Sequence, residues 1–344
     1  MANQAVGGRP LGAGLPARRH LFARSSRAAS LALFIVRRLL WMLPVVFFVI
    51  LITFILMHLA PGSPWDRGGG RQLSASVVQN LNVRYGLDKP LWQQFLIYLW
   101  NVLHFDFGLS YQYQGKTVSS LLLGSWMYTA TIGVLAFSVI VPVGIGLGVV
   151  AALRQNSRVD YAAMSFSTFG ASVPNFVVGM LLIIIFGVTL YNLTEGAYSL
   201  PVGGFAFDDH LVMPVITLAT LPTAFIARLT RASTLDILRQ DYVRTAWAKG
   251  LPERLVVLKH ILKNSLIPVV TALGPTFAFL VTGSVIVETV FAIPGIGRSF
   301  VTAVLSRDYT MILATTVLFS VVVAVANLVV DVLYVFIDPR VRLT

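Results

Sequence analysis

Apolar side chains run along this chain in long stretches, and the polar ones gather in the gaps between them. The first stretch, Leu39–Leu59, reads LLWMLPVVFFVILITFILMHL. Others fall at Thr129–Leu153, within Tyr161–Leu193, and at Leu211–Ala227, Leu266–Val287 and Met311–Ile337. A helix needs about 20 mostly apolar residues to cross the roughly 30 Å hydrocarbon layer. Helix is also the state such stretches must take there, because lipid leaves open backbone groups unsatisfied. The pattern therefore predicts an all-α integral membrane protein with about six transmembrane helices. The fourth stretch is the weakest, being short and carrying Pro214 and Pro222. The first exceeds the 7–15 apolar residues of a secretory signal and has no small-x-small cleavage site behind it, so it reads as a retained helix.

Two polar intervals have patterns of their own. Between the first two stretches, at about Pro61–Gly124, PLWQQFLIYLWNVL places Leu91, Phe95, Tyr98 and Val102 at helical spacing. This predicts an amphipathic helix that packs on the membrane surface, the simpler reading, or covers the mouth of a pathway. The second interval is YVRTAWAKGLPERLVVLKHILKNSLIP, Tyr242 to Pro268, which is basic yet full of helix signals. DYVRTAWAK holds helix formers and small residues, and Gly250 is placed to end that helix in the left-handed region. Pro252 suits the first turn of a new helix, and Glu253 complements its N-terminus. ERLVVLKHILKN then sets Leu255, Leu258 and Leu262 on one stripe, with Arg254, Lys259 and Lys263 elsewhere. The prediction is two short helices joined by a sharp KGLP corner. Tyr242 and Trp247 are anchors of the kind enriched at interfaces, and Arg244, Lys249 and Arg254 suit an acidic rim. Ala246 and Ala248 would let a partner approach closely. The simpler reading is a loop that only anchors charge at the membrane face. A DNA-reading helix-turn-helix fits poorly, because the segment is tethered at both ends beside lipid.

Composition agrees with a membrane protein: mean hydropathy is +0.79 and 12% of residues are charged, about half the share usual in soluble domains. The absence of cysteine excludes disulfide frameworks, thiolate metal sites and iron–sulfur ligation. The net charge of +12 would suit nucleic acid, but its distribution gives another reason. With both termini on one side, that side collects nineteen of the 26 Lys and Arg against five acids, a net of +14. The other side holds seven against eight acids, a net of −1. Cationic loops stay cytoplasmic, so both termini and the Tyr242–Lys263 loop are expected inside.

Candidate chemistry is sparse. SYQYQGKT resembles a phosphate loop, but Ser110 stands where the first Gly is needed, so it reads as a chance match. His20, His58, His104, His210 and His260 are scattered, and Asp208–His210 lacks a fourth ligand, so it reads as a solvated loop. No Gly-x-Ser-x-Gly elbow occurs. Asp331 is the one acid well inside a predicted span, with Asn327 a turn before it, and reads as a helix-packing hydrogen bond. An autonomous ion-driven carrier would place more ionisable groups or broken helices near the bilayer centre. It stays as one alternative, and a membrane scaffold or receptor without transport as another.

DYVRTAWAKGLPERLVVLKHILKNSLIPVVTALG resembles the cytoplasmic loop of the B-type permease subunits of dipeptide/oligopeptide ABC importers. RRLLWMLPVVFFVILITFILMHLAPGSP is similar to the opening helix of that family, and GLDKPLWQQFLIYLWNVLHFDFGLSY to its outer loop. RLTRASTLDILRQDYVRTA, VIVETVFAIPGIGRSF and NLVVDVLYVFIDPRVR complete a resemblance from about Leu31 to Arg342. In the wider binding-protein-dependent permease superfamily the loop motif begins Glu-Ala-Ala, with Gly four positions after the last Ala. Arg244, Thr245 and Ala246 occupy those positions here, with Gly250 correctly spaced; the peptide branch shares the departure.

The resemblance implies a multi-pass permease of the bacterial inner membrane and a peptide substrate. Its implied partners are a second homologous permease, two ATP-binding subunits carrying ATP and Mg2+, and an extracytoplasmic binding protein, with no cofactor, metal or nucleic acid on this chain. Apolar pattern, charge and composition divide the chain into a basic disordered tail at 1–30, which lies outside the resemblance, a first span at 31–60, an extracytoplasmic loop at 61–124 and a five-helix core at 125–342. That core includes a coupling loop at 240–265. ATPase docking falls to Tyr242, Arg244, Thr245, Ala246 and Trp247, and then to Ala248, Lys249, Gly250, Leu251 and Glu253.

Overall fold

The computed structural model of the chain describes residues 19–65, 74–113 and 115–337. The first helix, α1 (Arg19–Leu59), is followed by α2 (Ala75–Tyr85) and α3 (Leu91–Leu103), and then by the long α4 (Val118–Leu153). Next come α5 (Arg158–Ser172) and α6 (Asn175–Leu182), which continues through a π-helical segment, Ile183–Thr189, into α7 (Leu190–Leu193). α8 (Val212–Leu238) leads to the short α9 (Asp241–Ala248). α10 (Glu253–Leu255) runs through a second π segment, Val256–Leu262, into α11 (Lys263–Thr282). α12 (Val285–Val290), α13 (Ile296–Leu305) and α14 (Tyr309–Ile337) complete the described residues. Among the described residues, six of these runs are long and apolar enough to cross a membrane.

The central helices approach closely because small residues face one another. A Cβ on Gly133 of α4 would lie 2.6 Å from the Leu280 carbonyl oxygen of α11, and one on Gly148 would lie 2.5 Å from the Ala227 oxygen of α8. Between membrane helices, dispersion and close backbone approach replace the hydrophobic effect, which lipid cannot supply. Large apolar residues such as Trp41, Phe166 and Phe225 are accordingly left exposed on outward faces. The buried core between α4, α8 and α11 includes Ile132, Ile140, Ile226, Val269 and Leu280.

At one end of the bundle α1, α3 and α14 share a core containing Phe54, Phe95 and Leu313. Phe95, Tyr98 and Val102 face it as their spacing predicts, while Leu91 is exposed. Asp308 caps α14 there, buried, and organises the phosphate-loop lookalike. Its carboxylate accepts the Ser110 hydroxyl, the amides of Tyr111 (3.2 Å), Gln112 (3.3 Å) and Met311 (3.3 Å), and the Thr310 hydroxyl at 2.9 Å. Glu288, also buried, accepts the Thr129 hydroxyl at 2.8 Å and the Arg298 amide at 2.8 Å. Thr129 accepts the Ile296 amide at 2.9 Å, so α4 holds the α12–α13 hairpin through one hydroxyl.

Two expectations are corrected and two are met. Residues 19–30, expected in a disordered tail, are helical, and 1–18 lie outside the described residues. The third span, Asn175–Leu193, lies within the expected stretch, with Pro174 capping α6 and separating the span from α5. The fourth is not short: α8 runs on through Arg228 and Arg231 to Leu238. Asp331 makes the helix-packing hydrogen bond expected of it, accepting from Arg38 of α1 at 3.0 Å.

Candidate functional site

The basic interval forms a seated helix and a corner. α9 begins after extended Gln240 (ψ 142°), with Asp241 in its first turn complementing the helix dipole. It ends in a Schellman arrangement: the Gly250 amide donates to the Trp247 oxygen at 2.9 Å, and the Leu251 amide to the Ala246 oxygen at 3.4 Å. Gly250 takes φ +74°, and a Cβ there would meet nothing within 4 Å. Glycine is required here by backbone conformation, not by crowding. Pro252 then caps α10 with ψ 140°, one position earlier than the first-turn place the sequence suggests.

α9 has two faces. Val243 and Ala246, one turn apart, are buried with Val256 and Ile261 against Leu153 of α4 and Ile237 and Leu238 of α8. Tyr242, Arg244, Thr245, Trp247, Ala248, Lys249 and Gly250 are exposed, Leu251 is half-buried, and Glu253 is exposed. Ala246 therefore does not offer room to an approaching partner: its small side chain lets α9 sit down on the bundle. The Tyr242 hydroxyl accepts a hydrogen bond from Asn264 Nδ2 at 2.8 Å, tying the outward face to the start of α11.

The expected second short helix is absent as a separate unit. α10, the π segment and α11 form one continuous run into the bundle. The stripe Leu255, Leu258, Leu262 is corrected for the same reason. A π segment advances by i→i+5 bonding, so the buried positions become Val256 and Ile261, followed by Ser265 and Val269. Leu255 and Leu258 are left exposed.

Behind α9, Arg231 of α8 grips Asp160 of α5 with two bonds, Nε to Oδ1 at 2.6 Å and a terminal nitrogen to Oδ2 at 2.7 Å. The Asn156 amide adds a third at 3.0 Å, and Ser157 accepts the Asp160 amide at 3.3 Å. The Arg231 hydrogen bonds hold the Asp160 carboxyl below the usual carboxylate range, against an opposing push from burial. Charge counting treated both residues only as topology signals. The Ser157-x-x-Asp160 spacing was a readable helix-start signal, but the partner on α8 was not. At the far end of the bundle, Asp208 and His210 bond each other, with His210 Nδ1 2.6 Å from Asp208 Oδ1.

The family model described as "Binding-protein-dependent transport system inner membrane component" matches residues 144–343, and its N-terminal companion matches 31–131. The oligopeptide transport system permease protein OppB of Salmonella typhimurium is 41% identical over 309 residues, 90% of this chain and 99% of the relative. The dipeptide transport system permease protein DppB of Bacillus subtilis is 40% identical over 91% of this chain and 99% of its own. The glutathione transport system permease protein GsiC of Escherichia coli is 40% identical over 90% and 98%.

Proposed function

The chain belongs to the binding-protein-dependent transport system inner membrane components, and from that premise we propose that it is the permease subunit of an ATP-driven importer of di- and oligopeptides. The substrate class is supported by relatives named for oligopeptide and dipeptide transport. ATP and Mg2+ act on partner subunits, a second permease completes the pathway, and an extracytoplasmic binding protein delivers peptide. The charge bias supports a cytoplasmic position for both termini and α9.

α9 is the handle. Its exposed face, with Trp247 and Tyr242 as anchors and Arg244 and Lys249 at the rim, docks in a cleft of an ATPase subunit. Its buried face rests on the ends of α4 and α8, and its corner leads without a joint into α11. A pull on α9 is therefore delivered to the fourth and fifth spans together. Reversing a two-state pathway from 1:99 to 99:1 takes about 5.5 kcal/mol of differential binding, which ATP-driven closure of the partners supplies.

The observation that carries this reading is the division of α9 into a seated face and a free one. The test is uptake and substrate-stimulated ATP hydrolysis by the reconstituted complex carrying Gly250→Pro. Uptake is expected to fail, because proline cannot adopt φ +74°. Normal ATP-driven uptake would reject the assignment.

A further inference from the structure

A cavity of about 340 Å³ lies between α13, the start of α14, residues 112–113 and the first turns of α4, within the size range of small-molecule sites. Ser125 in its wall and Leu153 beneath α9 stand towards opposite ends of α4, about 40 Å apart at 1.5 Å per residue. The cavity is therefore at the far end of the bundle from the proposed handle, where the binding protein would deliver peptide.

Arg298, Thr302 and Ser306 line this cavity at one-turn spacing along α13 and its C-cap, so the arginine shares a face with the two hydroxyls. Arg298 is exposed. Glu288 accepts only its main-chain amide, at 2.8 Å, and among the described residues its guanidinium has no ion pair or hydrogen bond. At a solvated surface an arginine needs no partner; this one is set apart by the groups beside it. The Thr302 hydroxyl donates to the Arg298 carbonyl oxygen at 2.9 Å, and that of Ser306 to the Thr302 oxygen at 2.8 Å. Their hydrogens are spent, and their oxygens stay open as acceptors. The acid in the wall, Asp308, is buried and already accepts from five donors.

The wall thus sets a fork of donors next to acceptors. A guanidinium fork matches a carboxylate in two parallel bonds. A phosphate or sulfate ion would use the fork equally well, but its oxygens give nothing to the Thr302 and Ser306 acceptors. A carboxylate with an N–H group close by uses both, and that is the chemistry of a peptide's C-terminal end. Resting on the transport reading above, we propose that this cavity receives the C-terminal carboxylate of a short peptide, with Arg298 holding the carboxylate and the Thr302 and Ser306 oxygens accepting from the adjoining N–H.

The test is made on the assembled permease–ATPase complex in nanodiscs, without the binding protein. Saturation-transfer NMR gives dissociation constants for dialanine and for dialanine amide, which differ only in the C-terminal group. The wild type is expected to bind dialanine about tenfold more tightly, the worth of one hydrogen bond to a charged group. Arg298→Gln should weaken dialanine by that factor, leave the amide unchanged and so erase the preference. Arg298→Lys, which keeps the charge but not the fork, should fall between the two. The melting temperature of Arg298→Gln should match the wild type, because the guanidinium holds no other group. No preference in the wild type, or a preference that survives in Arg298→Gln, would overturn the proposal. Neither ATP hydrolysis nor the binding protein enters this measurement, so it can fail while the uptake test at Gly250 succeeds, and the reverse.

Discussion

Arg231 and Asp160 join α8 to α5 by two parallel hydrogen bonds of 2.6 and 2.7 Å, with the carboxylate almost wholly buried. α8 ends seven residues beyond Arg231, at Leu238, and α9 follows at once. The pair thus anchors the very helix that leads into the proposed handle. Removing one partner leaves the other charge desolvated.

Asp160→Asn is accordingly expected to cost about 2 kcal/mol or more of stability at neutral pH and to weaken coupling of hydrolysis to uptake. The folded carboxyl titrates below its unfolded value. Its contribution is therefore full above the unfolded pKa of about 3.9 and is lost as pH falls through the lower, folded one. Thermal unfolding of wild type and variant should differ at pH 7 and converge in acid. A constant difference at all pH values would refute the pair's role.

Gly250 should obey a conformational ranking. Asn tolerates the left-handed region, Ala pays about 1–2 kcal/mol there, and β-branched Val fares worse. Uptake by reconstituted variants should follow Gly, Asn, Ala, Val in falling order. Since a Cβ at Gly250 meets no atom within 4 Å, a ranking by side-chain volume alone would contradict the backbone argument.

Ala246 and Ala248 separate the two faces of α9. Ala246→Leu overfills a buried contact and should cost about 1–3 kcal/mol. Ala248→Leu, on the exposed face, should leave the melting temperature unchanged while reducing recovery of the ATPase subunit on affinity purification. Equal effects of the two variants on melting would show that the seating is misassigned.

Asp308 gathers five donors around the start of α14. Asp308→Ala strips their acceptor and should destabilise by about 3 kcal/mol, with faster proteolysis near residues 108–113 than elsewhere. Ser110→Ala, which removes one donor of the five, should be milder. Unchanged proteolysis in Asp308→Ala would show that the carboxylate does not hold that turn.

Much of this protein was legible as pattern. Runs of apolar residues long enough for the bilayer can only be helices, and a Gly four residues after Ala246 in a helix-forming segment announces its own termination. Both depend on local chemistry that each residue carries with it: solvent preference and backbone freedom. Pairings across the bundle were not legible. Arg38 with Asp331, Arg231 with Asp160, and Glu288 with Thr129 are each brought together by chain segments far apart in sequence. The buried stripe below the corner was misread because the π segment, stabilised by what it packs against, changes the period from which a face is inferred. The tertiary structure alone decided which side of α9 is free, since Ala246 and Ala248 are the same residue type and only the ends of α4 and α8 distinguish them.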